Sequence, residues 1–175
     1  MNEVIQSMKD RRSIRKFKPD MPSKEDISQI IEAGLYAANG RGKQATIIIA
    51  VTNKELRDKF SKINREIGGW DESFDPFYGA PVILIVLADK ECLTGIYDGS
   101  LVMGNMMLAA HSMGLGSFWI HRAKEEFEMP EYQSLLKEMG IEGEWEGIAH
   151  CAVGYMDGEL PKAADRRENR VFWLE

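Results

Sequence analysis

The chain has 175 residues, 44% of them hydrophobic and 29% charged, with a formal net charge of -6. That length and composition suit a single domain over residues 1–175 with a real core, and the acidic balance argues against nucleic-acid binding, which needs a basic face. No apolar run is long enough to span a membrane, Met1-Asn2-Glu3 leads into no apolar signal-peptide core, and the two cysteines make no close pair, so a cytoplasmic protein with reduced core thiols is expected.

Val4, Ile5 and Met8 predict a short first helix running into Arg11-Arg12-Ser13-Ile14-Arg15-Lys16-Phe17-Lys18. Cations packed this closely repel one another, so solvent or a bound anion must offset them. A second basic cluster, Arg166-Arg167 with Arg170, lies near the other end. Two such clusters in an acidic chain can close around one phosphate. Charge alone favours the plainer reading of two solvated patches.

Ser23 and Asp26 form a capping pair at the start of a helix carrying Ile27, Ile30, Ile31, Gly34, Leu35 and Ala38 on one face, expected to end near Asn39-Gly40. A Gly/Arg/Gly/Lys turn follows. Thr46 to Val51 reads as a buried strand, and Asn53 as the cap of a helix whose inner face is Leu56, Phe60, Ile63 and Ile67. Gly68 to Gly79 is a loop with Trp70, Phe74, Phe77 and Tyr78 among acidic residues. Val82 to Ala88 is a second buried strand. Tyr97 to Met113 is helical, yet apolar and small almost all round, which belongs in the middle of a core. Ser117 to Ile120 is a short strand. Tyr132, Leu135, Leu136 and Met139 mark a further helix, and Ile148 to Tyr155 a last central strand. This loose alternation predicts an α+β fold rather than a doubly wound sheet. The tail ends in Val171-Phe172-Trp173-Leu174, which cannot be buried locally; it returns to its own sheet or reaches another subunit and adds a strand there.

The motifs offer little to side-chain catalysis. Gly114-Leu115-Gly116-Ser117 follows a helix and precedes a strand, the reverse of the dinucleotide-binding order. Asn39-Gly40-Arg41-Gly42-Lys43-Gln44 follows a helix C-terminus, which is no anion site, and reads from spacing alone as an exposed turn. No serine sits in a nucleophile elbow, and Ser100 and Ser112 lie on the helix expected to be buried. The three histidines show no metal-ligand spacing, so no metal is expected. Anion-binding features without an evident acid, base or nucleophile fit chemistry carried by a cofactor.

Residues 11 to 17 resemble the N-terminal signature of the nitroreductase family of FMN-dependent oxidoreductases. Further matches come in order. Ala37 to Gln44 resembles the family's Ala-Pro-Ser-Gly-x-Asn-x-Gln segment, and Gly79-Ala80-Pro81 its entry to the second strand. Asp98-Gly99 through Gly114-Leu115-Gly116-Ser117-Phe118-Trp119-Ile120 resembles its central helix and following strand, and Gly154-Tyr155, Pro161-Lys162 and Arg166-Arg167 its C-terminal end. The resemblance implies a sandwich with a central, mainly antiparallel sheet flanked by helices. It also implies an obligate homodimer with swapped ends and FMN in the interface. Arg11, Ser13, Arg166 and Arg167 would hold the phosphate with Arg12 close by, and Arg15 would lie near the pyrimidine edge. Ala38, Asn39, Arg41 and Gln44 would come from the partner subunit, and the backbone of Trp119, Ile120 and His121 would pass along the ring, with an amide near His121 or Arg122 facing the reactive flavin nitrogen.

This chain departs from the family with Ala38, Asn39 and Gly42 where Pro, Ser and Asn are common, and with Ala45-Thr46 after the Gln. It is short for the family, so Gly68 to Gly79 is the expected substitute lid, with packing of the dimer an equal alternative. The implied activity is ping-pong reduction of nitroaromatics, quinones or similar acceptors by NADH or NADPH as transient donor, with no catalytic side chain. The alternatives are a flavin store or sensor without turnover, and an interaction module using the basic arm.

Overall fold

The computed structural model describes residues 2–175. Short polar side chains open the early helices. Asn2 accepts from the Val4 and Ile5 amides at the start of α1, Glu3–Asp10. Ser23 accepts from the Asp26 amide at the start of α2, Lys24–Leu35, and Asn53 from the Leu56 amide at the start of α3, Lys54–Gly68. The remaining α-helices among the described residues are α4 Gly95–Ser112, α5 Ala123–Glu128 and α6 Pro130–Glu138.

Four strands, β1 Thr46–Val51, β2 Val82–Asp89, β3 Gly116–Ile120 and β4 Trp145–Gly154, pair antiparallel in the order β1-β2-β4-β3. β2 is apolar at every position through Ala88 because both its faces are covered. Ile83, Ile85 and Leu87 join a core with Phe60, Phe127, Tyr132 and Leu136. Val82, Leu84, Val86 and Ala88 join a second core with Ile27, Ile30, Val102, Met103 and Met106. The architecture is therefore α+β, a helix–sheet–helix sandwich.

Several expectations need correction. α2 ends at Leu35, not near Asn39-Gly40: Tyr36 caps it, and Asn39 is already extended. The buried face of α3 is Arg57, Phe60, Ser61 and Asn64, while Leu56 is exposed. Polar side chains take that face because the loop after α3 and the turn after β3 supply them with partners. α4 is not buried all round. Gly99, Val102, Met103 and Met106 face the sheet, whereas Ile96, Tyr97, Leu101, Ser100 and Ser112 are exposed. The short α5 carries no apolar period and was not anticipated. β4 begins at Trp145, earlier than Ile148, and Met139 is the exposed cap of α6. The tail makes no strand within this chain; Val171, Phe172, Trp173 and Leu174 all stand exposed.

Candidate functional site

The two basic segments meet because the chain stitches them together. Phe17 bridges Met156, the Lys18 amide donates to the Tyr155 carbonyl, and the Asp157 amide donates to the Lys16 carbonyl. Lys16 and Asp157 add an ion pair at 2.7 Å. Beside this stitch lies a cavity of about 270 Å³ lined by Arg11, Arg12, Ser13, Arg15, Lys162 and Arg166, with Pro161, Ala163 and Ala164. Arg11 Nη1 and Arg12 Nε are buried without a hydrogen-bond partner among the described residues. A buried guanidinium nitrogen left without an acceptor carries a desolvation cost that an anion removes. Guanidinium forks, a hydroxyl and an ammonium around one space fit a phosphate monoester such as that of FMN.

The members of the cluster differ in freedom. Arg12 Nη1 donates to the Lys9 carbonyl at 2.6 Å and the Arg11 carbonyl at 2.8 Å, so it also closes the end of α1. Ser13 bridges Ser117 at the start of β3, and the Ile14 amide donates to the Ser117 carbonyl at 3.0 Å. Arg15 lies over the Phe118 ring, 4.5 Å from its centroid. Arg167 is exposed and does not line the cavity, whereas Lys162, which charge patterning did not single out, does.

Trp119 and Ile120 lie on β3 with His121 just after it. Ile120 is a core residue, so only its backbone is available to a ligand. The turn into α5 is conformationally costly: Arg122 sits at φ 79, in the left-handed region. Its guanidinium stacks on Trp70, 4.2 Å from the ring centroid. Trp70 continues edge-on to Phe74, Phe74 to Tyr78, and Tyr78 to Phe118, so the loop lies as a ladder of rings over β3. Asp75 fixes that loop. It pairs with Arg57 and accepts from Ser61 Oγ at 2.7 Å and the Gly79 amide at 2.8 Å. Burial works against the charged form of Asp75, and these donors outweigh it, holding its pKa below the ordinary carboxylate value. The loop is thus an anchored wall rather than a free flap.

Ala38, Asn39, Arg41 and Gln44 are not brought to the cavity. Arg41 and Lys43 line a separate space of about 120 Å³ with Cys92, Leu93 and Thr94. The buried Asp98 accepts from the Gly40 amide at 3.1 Å and from Thr94 Oγ1 at 3.0 Å, and Asn39 Oδ1 accepts from the Gln44 amide at 2.9 Å. These bonds hold Arg41 at φ 57 and Gln44 at φ 49, with both side chains outward. Asp98 had no sequence signal as an anchor of this turn, since the Gly40 amide it holds lies across the fold.

The Nitroreductase family model matches residues 8–68 and 69–155. A crystal structure of a nitroreductase with bound FMN from Bacteroides fragilis superposes with a TM-score of 0.91 at 26% identity, covering 100% of each chain. An FMN reductase (NAD(P)H) of Bacillus subtilis is 30% identical over 75% of this chain and 62% of its own length. An NADPH-flavin oxidoreductase of Vibrio harveyi is 33% identical over 69% of this chain and 54% of its own. The chain thus spans less than two thirds of the length of these two relatives. Among the described residues, no helix is long and apolar enough to cross a membrane.

Proposed function

Because the chain belongs to the nitroreductase family, we propose that residues 1–175 act as one flavin-binding domain, an FMN-dependent NAD(P)H oxidoreductase of ping-pong type. The observation that carries this reading is the cavity joining Arg11, Arg12, Ser13 and Arg15 to Lys162 and Arg166, with two guanidinium nitrogens of its arginines left without partners among the described residues. When bound there, FMN supplies the redox chemistry, accepting electrons from NADH or NADPH and passing them to a nitroaromatic, quinone or similar acceptor. Arg11, Ser13, Lys162 and Arg166 hold the phosphate. Arg15, fixed by its stacking on Phe118, sets a positive charge beside the ligand. Trp119, Ile120 and His121 contribute backbone. The anchored loop from Gly68 to Gly79 walls off water on one side.

The working unit in this proposal is a homodimer. Support comes from the exposed apolar side of α4 (Ile96, Tyr97, Leu101), the exposed Phe172 and Trp173, and the placement of Arg41 and Gln44 away from the phosphate cavity of their own chain. The unpaired, buried Cys92 and Cys151 suit a reducing cytoplasm. An anaerobic visible absorption spectrum of the protein supplied with FMN, before and after NADH and NADPH, tests the activity. Prompt bleaching by one of them is expected. A flavin band that neither donor bleaches would point to a store or sensor, and no flavin band at all would return the basic run to an interaction role.

A further inference from the structure

The turn between β3 and α5 is held from several sides at once. Asn64 is fully buried on α3, and its Nδ2 donates to the His121 carbonyl at 2.8 Å, while its Oδ1 has no partner among the described residues. On the other side, a Cβ at Gly147 would meet the Ala123 carbonyl oxygen at 2.0 Å, so only glycine lets β4 lie against this backbone. One turn further on, Glu126 and His150, both fully buried, pair at 2.6 Å. Between these restraints Arg122 is held at φ 79, a conformation that costs a non-glycine residue free energy. A strained peptide restrained this heavily is expected where its orientation matters to function.

Its position suggests what that function is. Ser13, in the phosphate cavity, bridges Ser117 at one end of β3, and the His121–Arg122 peptide lies at the other end. Four strand steps separate the two ends, about 13 Å at ~3.3 Å per residue. A ligand with its phosphate beside Ser13 would need an extended linker to bring its ring toward this peptide, and the sugar-alcohol chain of FMN is such a linker.

We propose that Asn64 is a positioning residue for the flavin site: by fixing the His121 carbonyl it orients the His121–Arg122 peptide, and through that peptide sets the reduction potential of the bound flavin. The inference rests on the flavin reading above. With the carbonyl tied to Asn64, the Arg122 N–H is the polar group of this peptide that donates to no acceptor among the described residues. A donor beside the ring's redox nitrogen favours the oxidised form, in which that nitrogen is an acceptor. Releasing the turn removes that preference, so the potential rises.

The test is the midpoint potential of the FMN-loaded protein, measured against a reference dye for wild type, Asn64→Leu and Asn64→Ser. Asn64→Leu keeps the branching at Cγ and removes the donor, and Asn64→Ser removes the same donor without adding bulk. Leu136→Val, in the same core but away from the turn, controls for lost stability. Both Asn64 variants are expected to favour reduced over oxidised flavin at least tenfold more than wild type does, a rise of about 30 mV for a two-electron couple, with Leu136→Val unmoved. A change under twofold in the Asn64 variants overturns the proposal, as does an equal change in Leu136→Val. Failure of both Asn64 variants to fold while Leu136→Val folds would make the residue structural only and also overturn it. A wild-type protein that takes up no flavin would instead contradict the flavin reading itself.

Discussion

Arg11 shows what a sequence discloses about a site and what it withholds. Its charge and crowded neighbours are visible in the one-letter code, as is the second cluster at Arg166-Arg167. That Arg166 reaches the cavity and Arg167 does not, and that Lys162 joins it, depends on the stitch between residues 16–18 and 155–157. Asn64 and Gly147 left no signal, because each acts through a partner far away in sequence, and Asp98, part of the family resemblance, gave no sign of its bond to the Gly40 amide. Gly147→Ala should cost about 3 kcal/mol or more of stability, since the new methyl overlaps the Ala123 carbonyl and backbone must move to admit it; thermal unfolding of the variant reads this directly. Cys151 is fully buried, and burial pushes its thiol up to about 12. It should therefore resist a thiol-labelling reagent at neutral pH while the protein is folded, and react once the protein is unfolded in denaturant.

Among the elements, helix starts were legible and helix faces less so. Ser23 and Asn53 cap as their residue types and spacing require. α3 defeats apolar periodicity because Arg57, Ser61 and Asn64 point inward to the loop and turn they hold. The role of Asp75 follows from the same inversion. Its pKa is lowered in the folded state, so the stability it contributes is present above the ordinary value of 3.8 and is lost as pH falls through its folded pKa. Asp75→Asn should cost about 2 kcal/mol at neutral pH, at the low side for breaking a largely buried pair because Asp75 retains some exposure. The deficit should shrink as the pH is taken below 4. Unfolding midpoints at pH 7 and pH 3 check this, and a deficit equal at both would contradict the assignment.

For the whole molecule, the sequence located the tail's problem but not its answer. Phe172 and Trp173 are exposed in this chain, and so is the outer face of α4. A truncation after Leu160 removes Arg166 from the cavity together with those aromatics. It should lower both FMN affinity, by at least about tenfold for the lost guanidinium, and the apparent mass in sedimentation, which reads the proposed dimer. The α+β class was expected from the sequence pattern, and the antiparallel sheet with its two covering layers from the family resemblance alone. The separation of the Asn39 to Gln44 loop from the phosphate cavity was not visible in spacing, because it is a property of the assembled fold.

In the proposed flavin site, two distant basic segments close on one phosphate. Calorimetric titration of the apoprotein with FMN and with riboflavin, at one ionic strength, tests it in wild type and in an Arg11→Ala/Arg166→Ala double variant. Two charge-assisted hydrogen bonds of about 1.5 kcal/mol each make FMN the tighter ligand by at least about 100-fold in wild type, with the preference falling below about tenfold in the variant. Equal affinity for the two flavins, or a preference that survives both substitutions, would contradict it.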